Sequence, residues 1–569
     1  MNTFGGFELR QVHLSLPRRR REWVELLEAA DLKPVDSDYT AGVYDSDERL
    51  VATATLSGEL MTGVAVAEDC RNESFTATLA TEILSRAHDR EISNLKVFTK
   101  PQYAPIFESL GFRLIGKGDR AVFLEHDTQS LDRYKKHLAT LAEGADNVGV
   151  IVMNANPLTK GHEYLVRKAA GEVDRLIVIP LAEEKHNRFR YDERRGMIER
   201  LCAGIPNVRV AEGSHYVISR NTFPSYFIKE MDEAAMAGMR LDLDIFVRHI
   251  APALGAKVRF VGSEPSDPLT AAYNAMMLET LPAQGIEVNV AERCLEGGEP
   301  VSASKVRGFM DADEFGKALN LAADASRPWI LGHAAAAALR HELDLTPKPG
   351  LVDRNNSGSH KDMDYALMLE SIGALRPVFT EMALHAGDIE AVRRIGVEGE
   401  RKMLEATGGV NTHRGALFSM GLAVTAASRL LERGDQLSPG TLRSEIKAIA
   451  AQMPGDANSH GAKVKARFGI PTALDYAREG YEPVFGMIEE RDSSRALLRL
   501  MSMLEDSNIY YRCGAEMAAM VKEEARKALE SNAREKEIEA MDRRFVAENI
   551  SPGGAADMLA LLQFIRSII

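Results

Sequence analysis

The stretch Val148-Gly-Val-Ile-Val-Met-Asn-Ala-Asn-Pro-Leu-Thr-Lys-Gly-His162 decides the fold. Its first six residues are apolar without alternation, as in a parallel strand buried on both faces. Asn156-Pro157 makes a sharp exit from that strand, and apolar spacing predicts a helix over 160–171. A strand that passes into a helix through a polar turn leaves backbone N–H groups free at the positive end of a helix dipole, which is an anion site. Thr159 and Lys160 sit in that turn, Gly161 lets a phosphate approach the backbone, and His162 can donate to a phosphate oxygen. Taken alone the string is too short to exclude a plain polar cap.

The surrounding chain repeats the alternation. Arg175-Leu-Ile-Val-Ile-Pro180, Val208-Arg-Val-Ala211 and Val258-Arg-Phe-Val261 read as further strands, so residues 146–318 form a doubly wound, Rossmann-like α/β domain. Near its far end stands Val301-Ser-Ala-Ser-Lys-Val-Arg307. Ser302 and Ser304 offer hydroxyls there, and Arg307 offers a guanidinium fork suited to pyrophosphate. An ordinary helix cap is the plain alternative for this motif too. Both motifs in order, at opposite ends of one α/β domain, read as the two phosphate-gripping ends of a nucleotidyltransferase site. Arg190 and Arg194 could be phosphate ligands but read rather as a solvated charge run.

Composition bounds the rest. At 569 residues and 45% hydrophobic content the chain suits several domains with ordinary cores. A net charge of −13 argues against general nucleic-acid binding. Cys70, Cys202, Cys294 and Cys513 are scattered, which fits a reducing cytoplasm, and no apolar run is long enough to read as a membrane span or a signal peptide.

Residues 1–127 read as a small α+β domain, with strands at Leu50–Leu56, Gly63–Ala67 and Leu95–Thr99. A charged helix over 128–145 links it onward. From 329 to 569 strand patterns vanish, and Ala, Leu, Met and Glu run in helical periods.

Polar clusters mark the breaks of this all-α domain. Lys348 and Asp353 flank Pro349-Gly350, with Asn356, His360 and Asp362 following. Asn411, His413 and Arg414 form a second cluster. Asp506, Asn508 and Arg512 form a third, and Gly553, Gly554 and Asp557 a fourth. Each alone is a plausible cap or turn. Four together suit Mg²⁺ and polyphosphate.

Residues 146–318 resemble the nucleotidyltransferase superfamily with the (His/Thr)-x-Gly-His signature, and more closely the citrate lyase ligase family. The further strings that carry this are Asn221–Lys229, Ile250-Ala-Pro-Ala-Leu254, Phe260-Val-Gly-Ser-Glu-Pro265 and Thr270-Ala-Ala-Tyr-Asn274. The resemblance implies that acetate attacks the α-phosphate of ATP to give acetyl-adenylate and pyrophosphate. A thiol on the citrate lyase acyl carrier subunit then takes the acetyl group and AMP leaves. On this reading Thr159 and His162 hold the α- and β-phosphates. Lys160, Ser302, Ser304 and Arg307 neutralise pyrophosphate with Mg²⁺, Asn156 and Gly161 bind nucleotide or phosphate, and Tyr273 and Asn274 face the adenosine. It also implies an acetyltransferase-like domain over 1–127. Cys70-Arg-Asn-Glu-Ser-Phe75 lacks the glycine that such a domain's pyrophosphate loop would carry, so this domain is expected to position the carrier or its arm.

Residues 329–569 resemble the triphosphoribosyl-dephospho-CoA synthase family, on Pro347–Met363, Gly409–Phe418 and Asn549–Ala560. This implies transfer of the triphosphoribosyl part of ATP to dephospho-CoA, with adenine leaving. Lys348, His360, Asn411, His413, Arg414, Asn508, Arg512, Gly553 and Gly554 would bind nucleotide and phosphate. Asp353, Asp362, Asp506 and Asp557 would serve Mg²⁺ or the developing ribosyl cation, the first two being the metal candidates. Cys513 stands where that family shows glycine and is expected to narrow the pocket. Two alternatives remain: an adenylyltransferase acting on phosphopantetheine, and a docking scaffold for the carrier with one inactive half.

Overall fold

The computed structural model describes the chain except residues 1, 5, 31, 71–72, 128, 186, 219–232, 265–266 and 456–459. The expectation placed on Asn221–Lys229 therefore lies outside the described residues. The chain divides into two compact units, one of residues 1–156 and 161–295, the other of residues 157–160 and 296–569.

The first unit holds two sheets. The eight-stranded sheet is mixed, and Leu60–Val66 with Lys96–Thr99 is its parallel pair. Strands Leu50–Ser57, Leu60–Val66 and Lys96–Thr99 fall within a few residues of their predicted places. The second sheet is parallel throughout, in the order Val208–Val210, Arg175–Pro180, Val148–Met153, Ala256–Gly262, Glu287–Ala291. Sequence patterning missed five strands of the mixed sheet and also this sheet's edge strand Glu287–Ala291. Only one of its residues is buried, so it lacks the apolar run of its neighbours.

The central strand is buried as its unbroken apolar pattern requires. Gly149 matters here, because a Cβ at that position would stand 2.6 Å from the Phe260 ring. Glycine is what lets Phe260 lie across the strand. A single apolar cluster runs from Ile115 and Phe123 of the mixed sheet through Leu131 and Leu138 of helix Ser130–Ala142 to Val150 and Ile177 of the parallel sheet. The two sheets of this unit therefore share one core, and the linking helix is part of it.

In the second unit, from Arg327 onward, the described residues are helical, as expected. Helices Arg327–Asp344, Tyr365–Leu384, Arg414–Glu432 and Gly553–Ile568 carry long buried faces rich in Ala and Leu. Small residues permit close helix approach: Gly332 leaves no room for a Cβ against Thr380 Oγ1 at 2.2 Å, and Gly399 none against Val378. No described helix is long and apolar enough to cross a membrane.

Candidate functional sites

The exit loop of the central strand is braced by one guanidinium. Arg194 is fully buried. It donates to the main-chain oxygens of Phe189 at 3.1 Å, Leu181 at 2.8 Å, Glu183 at 2.5 Å and Asn154 at 3.1 Å, and to Asn154 Oδ1 at 2.7 Å. It is thus neither a solvated charge nor positioned as a phosphate ligand. The charge-run pattern hid it, because one buried arginine among exposed ones has no sequence mark. Arg190 is exposed and pairs with Asp192 at 2.8 Å.

Asn156 is buried and also spoken for. Its Nδ2 donates to Asn187 Oδ1 at 2.9 Å, and its Oδ1 accepts from the N–H groups of Arg188 and Phe189 at 3.1 Å. It shapes the loop. Ala155 holds φ +48, a conformation L residues rarely adopt and one that turns the chain out of the sheet. Helix Lys160–Ala170 then begins where predicted. Burial pushes the His162 imidazole down to about 4. It is therefore neutral at physiological pH and offers one N–H rather than a charge.

Asn274 donates to the Gly262 oxygen at 2.9 Å, at the carboxyl end of the neighbouring strand. That edge is where open α/β sheets bind ligands. Tyr273 corrects the adenosine expectation. It is buried in the apolar core, and its hydroxyl donates to Asp242.

In the second unit, Thr159 is buried and forms an antiparallel bridge to Ala322, while the Leu158 oxygen accepts from Ser326 Oγ at 2.7 Å. Lys160 Nζ pairs with Glu296 at 2.7 Å. Ser302 caps helix Ala303–Asp311 through Lys305 N–H, and its hydroxyl lies 3.0 Å from that of Ser304. The middle of the first motif thus groups with the chain that carries Ser302 and Arg307.

The helical unit encloses a cavity of 1070 Å³. Lys348, His360, Asp362, Asn411, His413, Arg414, Asp506, Asn508, Arg512, Gly553, Gly554 and Asp557 all line it. The four sequence clusters converge there. Two expectations fail. Asp353 is not among the lining residues. One of its oxygens accepts from Thr346 Oγ1 and Lys348 N–H, and the other from the N–H groups of Asn355 and Asn356, so it staples the Pro-Gly loop. Cys513 does not line the cavity either, and its thiol faces the Asn549 oxygen at 3.7 Å.

The cavity's charges are arranged unevenly. Lys348 and Glu342 are buried and paired at 2.5 Å. Burial raises the Glu342 carboxyl despite that pairing. Asp506 accepts from the N–H groups of Asn508 and Ala555, so it fastens the starts of two helices, yet burial still pushes it up to about 6. Burial, with Asp506 and Glu342 adding repulsion, pushes Asp557 well above the usual carboxylate range. The two carboxyls are thus shifted unequally: Asp557 holds its proton more readily than a free carboxylic acid does, while Asp506, at about 6, is largely ionised at neutral pH.

His413 Nδ1 lies 2.7 Å from Ser371 Oγ, its Nε2 is buried with no hydrogen-bond partner, and burial drives the ring down to about 3. Tyr481 Oη is likewise buried without a partner. Arg414 pairs with Glu400 at 2.9 Å at a helix start, and Arg512 Nη2 reaches His360 Nδ1 at 3.4 Å. Sequence reading missed Glu342, Glu400 and Tyr481. Glu342 and Glu400 sit in ordinary helical periods and Tyr481 just before a short helix, and only the fold turns them toward the polar clusters.

Among the described residues no group of three or more His, Cys, Asp or Glu is placed to hold a metal ion alone. Asp353, with both oxygens committed, is ill suited to Mg²⁺. Asp362 is exposed and lines the cavity, so it can meet a cation brought in by a polyphosphate.

The chain thus carries two candidate sites, a polar exit loop on a parallel sheet and a charged cavity in a helical unit. The description "Citrate lyase ligase C-terminal domain" matches residues 148–329, and "ATP:dephospho-CoA triphosphoribosyl transferase" matches residues 328–569. The citrate (pro-3S)-lyase ligase of Escherichia coli K12 is 37% identical over 54% of this chain and 89% of its own. That of Klebsiella pneumoniae is 37% identical over 52% and 89%. A probable 2-(5''-triphosphoribosyl)-3'-dephosphocoenzyme-A synthase of Albidiferax ferrireducens is 37% identical over 42% of this chain and 90% of its own. The chain belongs to the citrate lyase ligase family over its first part and to the triphosphoribosyl-dephospho-CoA synthase family over its second.

Proposed function

We propose that this chain matures citrate lyase at two steps. Its ligase part joins acetate to ATP, forming acetyl-adenylate and pyrophosphate, and then passes the acetyl group to the thiol of the acyl carrier subunit. Catalysis of the first step is positioning plus charge stabilisation. The neutral His162 donates to the α- or β-phosphate. Ser302, Ser304 and Arg307 receive the departing pyrophosphate, with Lys160 drawn from its pairing with Glu296. Gly161 leaves the backbone open to phosphate, and Asn274 marks the adenosine side.

The synthase part transfers the triphosphoribosyl group of ATP to dephospho-CoA. The supporting observation is the cavity that collects predicted residues from each of the four clusters, Asp353 excepted. Breaking the bond between ribose and adenine leaves positive charge on the ribose and negative charge on the base. Two carboxyl groups held at different protonation answer both needs, as in glycosidases. Asp557, whose raised carboxyl favours the protonated form, gives its proton to the leaving adenine, and Asp506, ionised, faces the developing cation. Lys348, Arg414 and Arg512 take the triphosphate, while the unpartnered His413 Nε2 points to a ligand hydrogen bond. Mg²⁺ would enter with the triphosphate, held on the protein side by Asp362, and would supply charge neutralisation.

Two assays test the halves separately. Acetate-dependent exchange of pyrophosphate into ATP reports the ligase, and its absence with folded protein and Mg²⁺ ends that reading. Formation of a dinucleotide instead of AMP would favour the phosphopantetheine adenylyltransferase alternative. Adenine release from ATP plus dephospho-CoA reports the synthase, and silence there removes it.

A further inference from the structure

The first unit holds a hollow of 550 Å³ that neither reading above uses. Its lining includes Glu59, Lys96, Tyr134, Glu183, Ser214 and His215. Two of its walls are the segments that follow strands Arg175–Pro180 and Val208–Val210, at the carboxyl edge of the parallel sheet. The Asn154–His162 loop leaves the sheet at the same edge. One brace serves both places, because Arg194 holds the oxygens of Leu181 and Glu183 and also holds Asn154. The volume is within the range of small-molecule sites.

Charge decides what fits. Glu59, Glu183 and Glu184 line the hollow, and its Lys96 is already paired with Glu59. Of the ligase reactants, acetate and ATP are anions that such a lining disfavours. A neutral, hydrogen-bonding chain is what remains, and the thiol end of an amide-containing arm is such a chain.

A base stands at the floor. His215 Nε2 lies 3.7 Å from Glu125 Oε2. Glu125 is fully buried, accepts from Tyr216 Oη at 2.6 Å and Asn94 Nδ2 at 3.1 Å, and leaves Oε1 without a hydrogen-bond partner. At that distance the carboxylate acts through its charge rather than a hydrogen bond, favouring the protonated imidazole. The other charged and titratable groups facing this histidine are Lys96, Glu59 and Tyr216. Burial keeps the ring below its ordinary value, so it is ready to accept a proton.

We infer that this hollow seats the thiol end of the acyl acceptor and that His215, backed by Glu125, takes the thiol proton. The inference rests on the ligase reading. In the step, the sulfur–carbon bond forms and the bond from the acyl carbon to the phosphate oxygen breaks. The thiol proton passes to His215 and then to solvent, and AMP leaves. No further reactant is needed.

The test uses the full chain with pantetheine as acceptor. His215→Gln should keep acetate-dependent pyrophosphate exchange within about twofold of wild type and lose at least tenfold in acetyl transfer at neutral pH, the size of a general-base contribution. The deficit should shrink above pH ~8.5, where thiols ionise unaided; a packing role would not give that rescue. Ser214→Tyr, which fills the hollow, should raise KM for pantetheine at least fivefold with exchange retained. Unaltered transfer in both variants, or equal loss of exchange and transfer in a protein that melts like wild type, overturns the inference. Absence of exchange in wild type overturns the ligase reading itself, and this inference with it.

Discussion

Asp557 occupies the place a side chain on Gly415 would need, since a Cβ there would stand 2.0 Å from Asp557 Oδ2. Gly415 follows Arg414 at the start of helix Arg414–Glu432, so the absence of a side chain brings a carboxyl group against a helix start inside the cavity. Gly415→Ala should displace Asp557 and lower adenine release at least tenfold, the cost of a misplaced reacting group. Pyrophosphate exchange should be unchanged, which separates this from general unfolding.

Asp557→Asn keeps shape and removes the proton. Adenine release should fall about 10²–10⁴-fold, the usual range for a lost general acid. In wild type the rate should rise as Asp506 ionises around pH 6 and fall again as pH rises through the raised pKa of Asp557. The variant's residual rate should lack that limb. A raised carboxyl also withdraws stability as pH rises through its folded pKa. The variant should therefore melt no lower than wild type at neutral pH.

His413 titrates in the opposite sense. Its folded pKa, about 3, lies below the ordinary value of 6.5, so the unfolded chain takes up a proton first as pH falls. Stability is whole above 6.5 and declines from there toward 3. Urea unfolding of the helical unit should show a lower midpoint at mildly acidic pH than at neutral pH, and His413→Gln should flatten that difference.

Arg194→Lys replaces a fork by a point charge. An ammonium has three donors on one nitrogen and cannot span four separate carbonyls. The variant should lose roughly 2–4 kcal/mol of stability, as expected for several broken bonds to a buried charge. It should also lose pyrophosphate exchange through disorder of the Asn154–Asn156 loop, while adenine release persists. Thermal melting and the two assays read these apart.

Asp353 and Asp362 should part company. Asp353→Asn loses acceptors for backbone and hydroxyl donors and should lower the melting temperature. Asp362→Asn should leave melting unchanged and raise the Mg²⁺ concentration needed for half-maximal adenine release.

The parallel sheet was legible because Val148–Met153 and Arg175–Pro180 are buried on both faces, and short unbroken apolar runs flanked by polar turns are the mark of such strands. The clusters around His413, Asp506 and Gly554 were legible because glycine, proline and amides at helix breaks are costly unless used. What escaped reading was burial of single charged residues. Arg194, Glu342 and Lys348 occupy ordinary helix or loop positions in the sequence, and only tertiary packing reveals which lose their water. Tyr273 was misread for the reverse reason: an aromatic beside a polar motif looks like a nucleoside platform until the partner of its hydroxyl, Asp242, is known. The shared core of the two sheets was hidden as well, because apolar periodicity names a buried face but not what covers it.

The path of the backbone bears on dissection by truncation. The chain enters the second unit at Pro157, returns to the first after Lys160, and crosses again at Glu296. The family matches meet near residue 328, some thirty residues beyond that last crossing. A cut at the family boundary would leave Glu296–Arg327 on the fragment that lacks its compact partners, and would strand Pro157–Lys160 there too. Point substitutions in the intact chain keep both sets of contacts while the two activities are read apart.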